Sequence, residues 1–542
     1  MAGLYVLMGL LFITCPVSAV VYGAGRAADR LLIHRRLSVA ILGIGGLALL
    51  YVGTRLNLPV IPCEAAKGLL THAGGGLWQI DYTPVSVWQW IISDPRTTGL
   101  SLAVETLAGY LGQFTPERLM IEAEQRREQQ RYRLTKHINY IPKRNQLIFG
   151  VSGSGKSAYI GRSIEEIIKA DPDARIVVVD GKGSTEKYSL YDNLRLISQL
   201  YHKPLTLING TGNEALGGCV YDFLQGVTNA DQAKDMVMAL IDDPTVQASS
   251  GSEHYRTLTE AYILEVINFI LRHGVDLTLN NILTLTEPAN LKMVMEDINA
   301  LQDEQRRLNK YTEDNWRDVQ ASVVKLRMYV NGEGNRLFVG QSDQPRINIR
   351  EAYRRGDMVL VLADEMSMPS LVQGLVQLVA MDVRSLVSGR LSNTIDMDHR
   401  VYVFFDEFTS YTSALPILRS LYGRARSGEV VTTLATQSIS DITALPGWFE
   451  PIVNTADRFV FFRQHGSESP EAAAGLIGTQ LHVTSTARSS DLQFSGEASN
   501  TLDYSYIVHP DYIRNLPANQ GVMLDKQENK IYHFRNKFVG GN

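Results

Sequence analysis

Residues 150–157 read GVSGSGKS. The run satisfies G-x-x-x-x-G-K-[ST] through Gly150, Gly155, Lys156 and Ser157, with a further glycine at Gly153. Leu147, Ile148 and Phe149 precede it, and the helix-compatible AYIGRSIEEIIKA follows. That strand–loop–helix setting is what a phosphate-binding loop requires. The glycines let backbone N–H groups turn inward around phosphate oxygens, and the helix adds its positive N-terminal end. Lys156 then reaches the β- and γ-phosphates, and Ser157 ligates Mg²⁺. ATP and Mg²⁺ are therefore the expected bound groups.

Hydrolysis at such a loop also needs a carboxylate at the end of another strand. RVYVFFDEF supplies it: five apolar residues, Val401 to Phe405, run into Asp406 and Glu407. Asp406 is the expected holder of the Mg²⁺ water shell, and Glu407 the acceptor of a proton from the attacking water. The pair Asp364/Glu365 competes, but it stands where a helix cap is useful. Around these two motifs, NQLIFG, RIVVVD, KPLTLI, DMVLVLA, RVYVFFD, EVVTTLA and DRFVFFR are short apolar runs bounded by turns. Buried strands alternating with helical segments predict a parallel sheet with helices on both faces, an α/β fold. From about Asp222 to Gly332 the alternation stops, and YRTLTEAYILEVINFIL carries apolar residues at helical spacing. This predicts an all-α insertion. The polar, Ser-rich stretch from Ser485 to Asn500 reads as a mobile loop.

The chain has 542 residues, 45% apolar and 20% charged, with a net charge of -5. Fibrous and wholly disordered classes are excluded, and so is a bulk polycation, which leaves any nucleic-acid contact to a local patch or channel lining. The three cysteines, Cys15, Cys63 and Cys219, lack metal-ligand spacing. No charge occurs from Met1 to Gly25, and Leu37 to Thr54 is a second uncharged run. Both have the length of membrane helices. Arg26, Arg30, Arg35 and Arg36 lie between them, which the positive-inside rule would put in the cytoplasm. Nucleotide must reach Lys156, so the expectation is two spans with both chain ends inside.

These motifs together resemble the FtsK/HerA-type P-loop motors, and among them the membrane-anchored, TraD-like type IV coupling proteins. RIVVVDGKG looks like the family's second-strand D-x-K-G segment, and RVYVFFDEF like its Walker B. RSGEVVTTLATQS looks like its Arg-to-Gln segment, and IVHPDYIRNLP like the end of the motor. The resemblance spans about 140–535. It implies a RecA-like P-loop motor domain in two parts, 136–221 and 333–542, interrupted by the all-α domain at 222–332. Two transmembrane helices at 1–56 and a connector with a juxtamembrane helix at 57–135 precede it. It also implies catalytic roles for Gln437, a polar sensor, and Arg426, a finger reaching a neighbouring subunit's nucleotide, with Arg424 as the alternative finger. The implied setting is the bacterial inner membrane, with the motor in the cytoplasm as a homo-hexamer. The implied partners are DNA, expected to be single-stranded, relaxase-type or effector proteins, and components of a type IV secretion channel. A membrane receptor that uses ATP only to hold an assembly, and an FtsK-like double-stranded DNA pump, are the alternatives.

Overall fold

The computed structural model describes residues 133–541, apart from 136, 242–249, 299, 333, 342 and 491–492. The expected membrane spans at 1–56 and nearly all of the connector at 57–135 lie outside the described residues.

Among the described residues, nine strands form one sheet in the order β13-β12-β9-β1-β8-β7-β2-β6-β3. They are β1 (Gln146–Phe149), β2 (Arg175–Asp180), β3 (Leu205–Gly210), β6 (Met358–Ala363), β7 (Val401–Asp406), β8 (Val430–Thr436), β9 (Arg458–Phe461), β12 (Gln520–Asp525) and β13 (Lys530–Arg535). The strands from β9 to β3 are parallel throughout. β1, β6, β7 and β8 are buried along their whole length, so both faces had to be apolar and the runs read as continuous. Alternate residues serve opposite faces. Ile148, Val178, Leu360 and Phe404 join Tyr159, Ile160 and Ile164 of α1 (Lys156–Ala170) and Leu194 and Ile197 of α2 (Leu190–Tyr201) in one core layer.

The expected all-parallel sheet is corrected at one margin. β12 runs antiparallel to β9, and β13 antiparallel to β12. An antiparallel hairpin needs only a short turn, and Asp525 accepts from the N–H groups of Gln527 and Glu528 to make it. A second hairpin pairs β10 (Thr479–Ser490) with β11 (Gln493–Tyr506). The stretch expected as a loop lies inside it, with Ser485 opposite Asn500. A two-stranded ribbon closes through backbone hydrogen bonds, so a polar, Ser-rich composition does not forbid it.

Among the described residues, six α-helices occupy the interruption: α3 (Ala230–Ile241), α4 (Ser250–Arg272), α5 (Leu279–Leu285), α6 (Pro288–Asp297), α7 (Gln302–Asn309) and α8 (Trp316–Asn331). The chain enters through β4 (Val220–Tyr221) and leaves through β5 (Arg346–Ile347), which pair in parallel. α9 (Ile349–Arg355) follows, and then α10 (Pro369–Leu391). Asp382 of α10 ties both stems: Tyr221 Oη donates to its Oδ2 at 3.3 Å, and the Ile349 N–H donates to the same oxygen at 2.8 Å. Among the described residues α10 alone is long and apolar enough to cross a membrane, but 72% of its most apolar window is buried against the domain. It is a core helix of the sheet's second face.

Candidate active site

Residues 150–157 leave β1 and enter α1 at Lys156. Gly153 and Gly155 take φ of +72° and +120°, values that a side chain would strain. The loop is fastened on two sides. Gly150 N–H donates to Thr436 O of β8, and Val151 N–H to Arg463 O beyond β9. From the antiparallel margin, Asn519 N–H donates to Ser154 O at 2.8 Å and Asn536 Nδ2 to Gly155 O at 2.9 Å. A Cβ at Gly155 would stand 2.8 Å from Asn519 Oδ1.

Lys156 is 3% exposed. Its Nζ donates to Gly150 O at 2.5 Å and lies 3.3 Å from Glu407 Oε1. Asp406 ends β7 and is buried. Glu407 follows with φ of +53°, rare for a residue with a side chain and a form of backbone strain that gathers at functional sites. Tyr411 secures the turn by donating from Oη to Asp406 O at 2.7 Å.

Two further charged groups complete the cluster. Asp180 ends β2 in register with Asp406 on β7. Lys182, two residues on, places Nζ 2.8 Å from Glu407 Oε1 and 3.7 Å from Asp406 Oδ2. Neither was assigned a role from the sequence, although DGKG at the end of an apolar strand was the available signal. Gly181 belongs to the same construction, because a Cβ there would meet Tyr411 Oη at 2.4 Å.

The electrostatics follow from burial and neighbours. Burial lowers the Lys156 pKa, against the opposing pull of Glu407 and Asp406. Burial acts the same way on Lys182, but Asp406 and Glu407 outweigh it and raise its pKa. Burial, then the charge of Asp406, pushes the Asp180 carboxyl up to about 7. Asp406 is raised chiefly by burial, with Lys182 opposing.

Asp406 Oδ2 is buried without a hydrogen-bond partner, and Ser157 is half-buried at the start of α1. That orphaned oxygen fits a magnesium hydration shell. Mg²⁺ normally keeps several waters and uses one or two carboxylates together with substrate phosphates. Among the described residues no group of three or more His, Cys, Asp or Glu side chains has the arrangement of a metal cage.

Of the remaining sequence-predicted residues, Gln437 lies beside the loop, next to the Thr436 carbonyl that Gly150 N–H meets, and the two arginines lie away from it. Gln437 is exposed one residue beyond β8, and its carbonyl accepts from the buried Gln464 Nε2 at 3.2 Å. Arg424 ends α11 (Leu415–Arg424), and Arg426 follows in a 3₁₀ turn, Ala425–Gly428. Both are exposed. They precede β8, whereas the phosphate loop meets β8 at its far end, so a strand length of about 20 Å separates them from it. The competing Asp364 is spent on its own turn, accepting from Met366 N–H, Ser367 N–H and Ser367 Oγ.

Residues 400–518 match a family model described as the TraM recognition site of TraD and TraG. The fold is similar to that of the bacterial conjugative coupling protein TrwBΔN70 in its unbound form, at 14% identity and a TM-score of 0.51, covering 75% of this chain and 87% of that one. It is likewise similar to the plasmid coupling protein TrwB in complex with the non-hydrolysable ATP analogue ADPNP, at 15% identity and a TM-score of 0.51, covering 75% and 91%. At this identity the likeness is one of fold, a mixed α/β domain with a large parallel sheet. No curated protein sequence matches significantly. The resemblance to TraD-like type IV coupling proteins, expected from the motifs, is borne out by the family match together with this fold.

Proposed function

We propose that this chain is a coupling ATPase of conjugation. It recruits DNA or protein–DNA substrates and drives them toward a type IV secretion channel, from an inner-membrane anchor formed by residues 1–56. One observation carries the reading: the lysine of the phosphate loop and the carboxylate after β7 meet at 3.3 Å, on the carboxyl edge of a parallel sheet. That edge is where open α/β sheets bind ligands.

Gly150, Gly153 and Gly155 shape the cradle, and Lys156 neutralises the β- and γ-phosphates. Ser157 and Asp406 hold Mg²⁺, which supplies charge neutralisation at the phosphates when bound. Glu407 takes a proton from water as the water oxygen bonds to the γ-phosphorus. The bond from that phosphorus to the bridging oxygen breaks, and ADP and phosphate leave. Gln437, exposed beside the loop, orients the water or the γ-phosphate. Arg426 stands a strand length of about 20 Å from its own loop, which supports action on the nucleotide of an adjacent subunit in a ring, a homo-hexamer under this reading. Relaxase-type or effector proteins and single-stranded DNA are the substrates this reading assigns.

The test is ATP hydrolysis by the full chain in detergent, with and without single-stranded DNA. Turnover that DNA stimulates and Lys156→Ala removes supports the motor. Nucleotide binding without turnover in either condition would leave a receptor that uses ATP only to hold an assembly.

A further inference from the structure

Lys182 is held in place from several directions. Its N–H donates to Asp180 Oδ1 at 3.0 Å. Its backbone bridges to Asp364 at the end of β6, and the Glu365 N–H donates to Gly181 O at 3.2 Å. Tyr411 presses on Gly181 so closely that no side chain fits there. The turn after β2 is thereby locked to the ends of both neighbouring strands. From it the ammonium reaches 2.8 Å to Glu407 Oε1 and 3.7 Å to Asp406 Oδ2.

Lys156 lies 3.3 Å from the same Glu407 oxygen, so two lysines converge on one carboxylate. They are not equivalent. Lys156 belongs to the phosphate loop and engages phosphate under the function proposed above, on which this inference rests. Lys182 sits on another strand, in a turn with no such duty. A glutamate side chain has several rotamers, and a proton acceptor displaced by about 1 Å can lose a factor of ~10² in rate.

We propose that Lys182 is a positioning residue for hydrolysis: it holds the Glu407 carboxylate where the attacking water is deprotonated while Lys156 is occupied by phosphate. A compact ammonium suits this task. It donates from a point and leaves the second carboxylate oxygen free, whereas a guanidinium fork tends to take both.

The experiment compares full-length Lys182→Met, Lys182→Arg, Glu407→Gln and the double variant Lys182→Met/Glu407→Gln. Lys182→Met should lower kcat by ~10–100-fold while KM for ATP and the affinity for a fluorescent ATP analogue change by less than about threefold. Lys182→Arg should recover part of the loss. The double variant should be no slower than Glu407→Gln alone, because a residue acting through Glu407 has nothing left to position. Without nucleotide, Lys182→Met should unfold at a lower temperature, and adding Glu407→Gln should restore part of that, since it removes a buried charge left short of a partner. Should Lys182→Met fail to fold, Lys182→Arg and the double variant carry the comparison. Wild-type kcat in Lys182→Met, a double variant slower by the product of the two losses, or nucleotide affinity falling as far as kcat would each overturn the proposal. A wild-type protein without turnover would instead overturn the ATPase reading beneath it.

Discussion

The carboxyl edge of the sheet and the surface around α11 handle charge in opposite ways. At the edge, Lys156, Asp180, Asp406 and Glu407 are buried together, and Lys182 reaches into them from a partly exposed turn. Within one chain two ammonium groups stand among three carboxyls, and burial together with the charge of Asp406 pushes one of those, Asp180, up to about 7. Around α11, Arg424 and Arg426 stand in solvent, and among the described residues neither side chain forms an ion pair. A buried ion cluster is costly unless every charge has a partner, so the edge has to be complete in each folded chain. An exposed arginine costs almost nothing to leave free, so under the proposed function this is the half that a second copy would engage.

The hardest blow to the self-contained half is Lys156→Ala. We expect turnover below detection and weakened nucleotide binding, measured by a coupled phosphate assay and by titration with a fluorescent ATP analogue. Unchanged affinity in that variant would break the comparison at its root, because the buried cluster would then have no phosphate to serve.

Arg426→Ala addresses the outward half. A finger contributes ~10³–10⁵ in phosphoryl-transfer rate, so this variant should bind ATP normally and stay slow at every protein concentration. Mixing it with Glu407→Gln subunits sharpens the point. If Arg426 serves a neighbour, some mixed interfaces regain both groups and partial activity returns. No recovery at any mixing ratio, with mixed rings verified by tags, would assign it to its own subunit or to neither.

Glu407→Gln keeps size and loses basicity. A loss of ~10²–10⁴ in kcat with nucleotide affinity retained is expected. If Asp364→Asn and Glu365→Gln abolish turnover and Glu407→Gln does not, the carboxylates after β6, not those after β7, are the working pair.

The smallest effect concerns Asp382, a buried acid that lacks the ammonium partners of the edge. Burial pushes its carboxyl up to about 6, against hydrogen bonds from Ile349 and Tyr221 and the charge of Arg350. Its folded pKa exceeds the unfolded value of roughly 3.9. Its stabilising contribution is therefore fully present below about pH 4 and lost as the pH rises through about 6. Asp382→Asn keeps an acceptor for Tyr221 and Ile349 without a charge. It should flatten the pH dependence of thermal unfolding across that window and raise the unfolding temperature by a few degrees at pH 7.5. A steeper dependence in the variant would show that the stems need the charge.

Legibility in the sequence followed how local each structure is. RVYVFFD and VVTTLAT are strands because both faces are covered, and a run of apolar residues states that directly. Lys156 begins its helix because the loop motif is a matter of spacing along the chain. KIYHFR of β13 mixes charged and apolar residues, because it lies at the sheet margin with its first three positions partly exposed, and no such run marks it. The β10–β11 ribbon depends on backbone pairing, which leaves a weak trace in composition. Lys182 was visible as a residue but not as a neighbour of Glu407. That contact depends on β2 lying beside β7, a fact of sheet order that the 225 positions separating Lys182 from Glu407 do not state. Asn519 and Asn536 went unread for the same reason.

The asparagine clamp on the phosphate loop sets a clock on biosynthesis. Asn536 is separated from the Gly155 carbonyl it grips by 381 residues. At ~5–20 residues per second, the loop emerges from the ribosome about 20–80 s before its far anchor does. For most of that interval β1 also lacks its neighbours β8 and β9, and throughout it the loop lacks its full outer wall. A nascent chain therefore carries the complete phosphate-binding motif long before it carries the pocket. A ribosome that stops before Asn519 therefore releases a chain whose phosphate loop never receives its second wall.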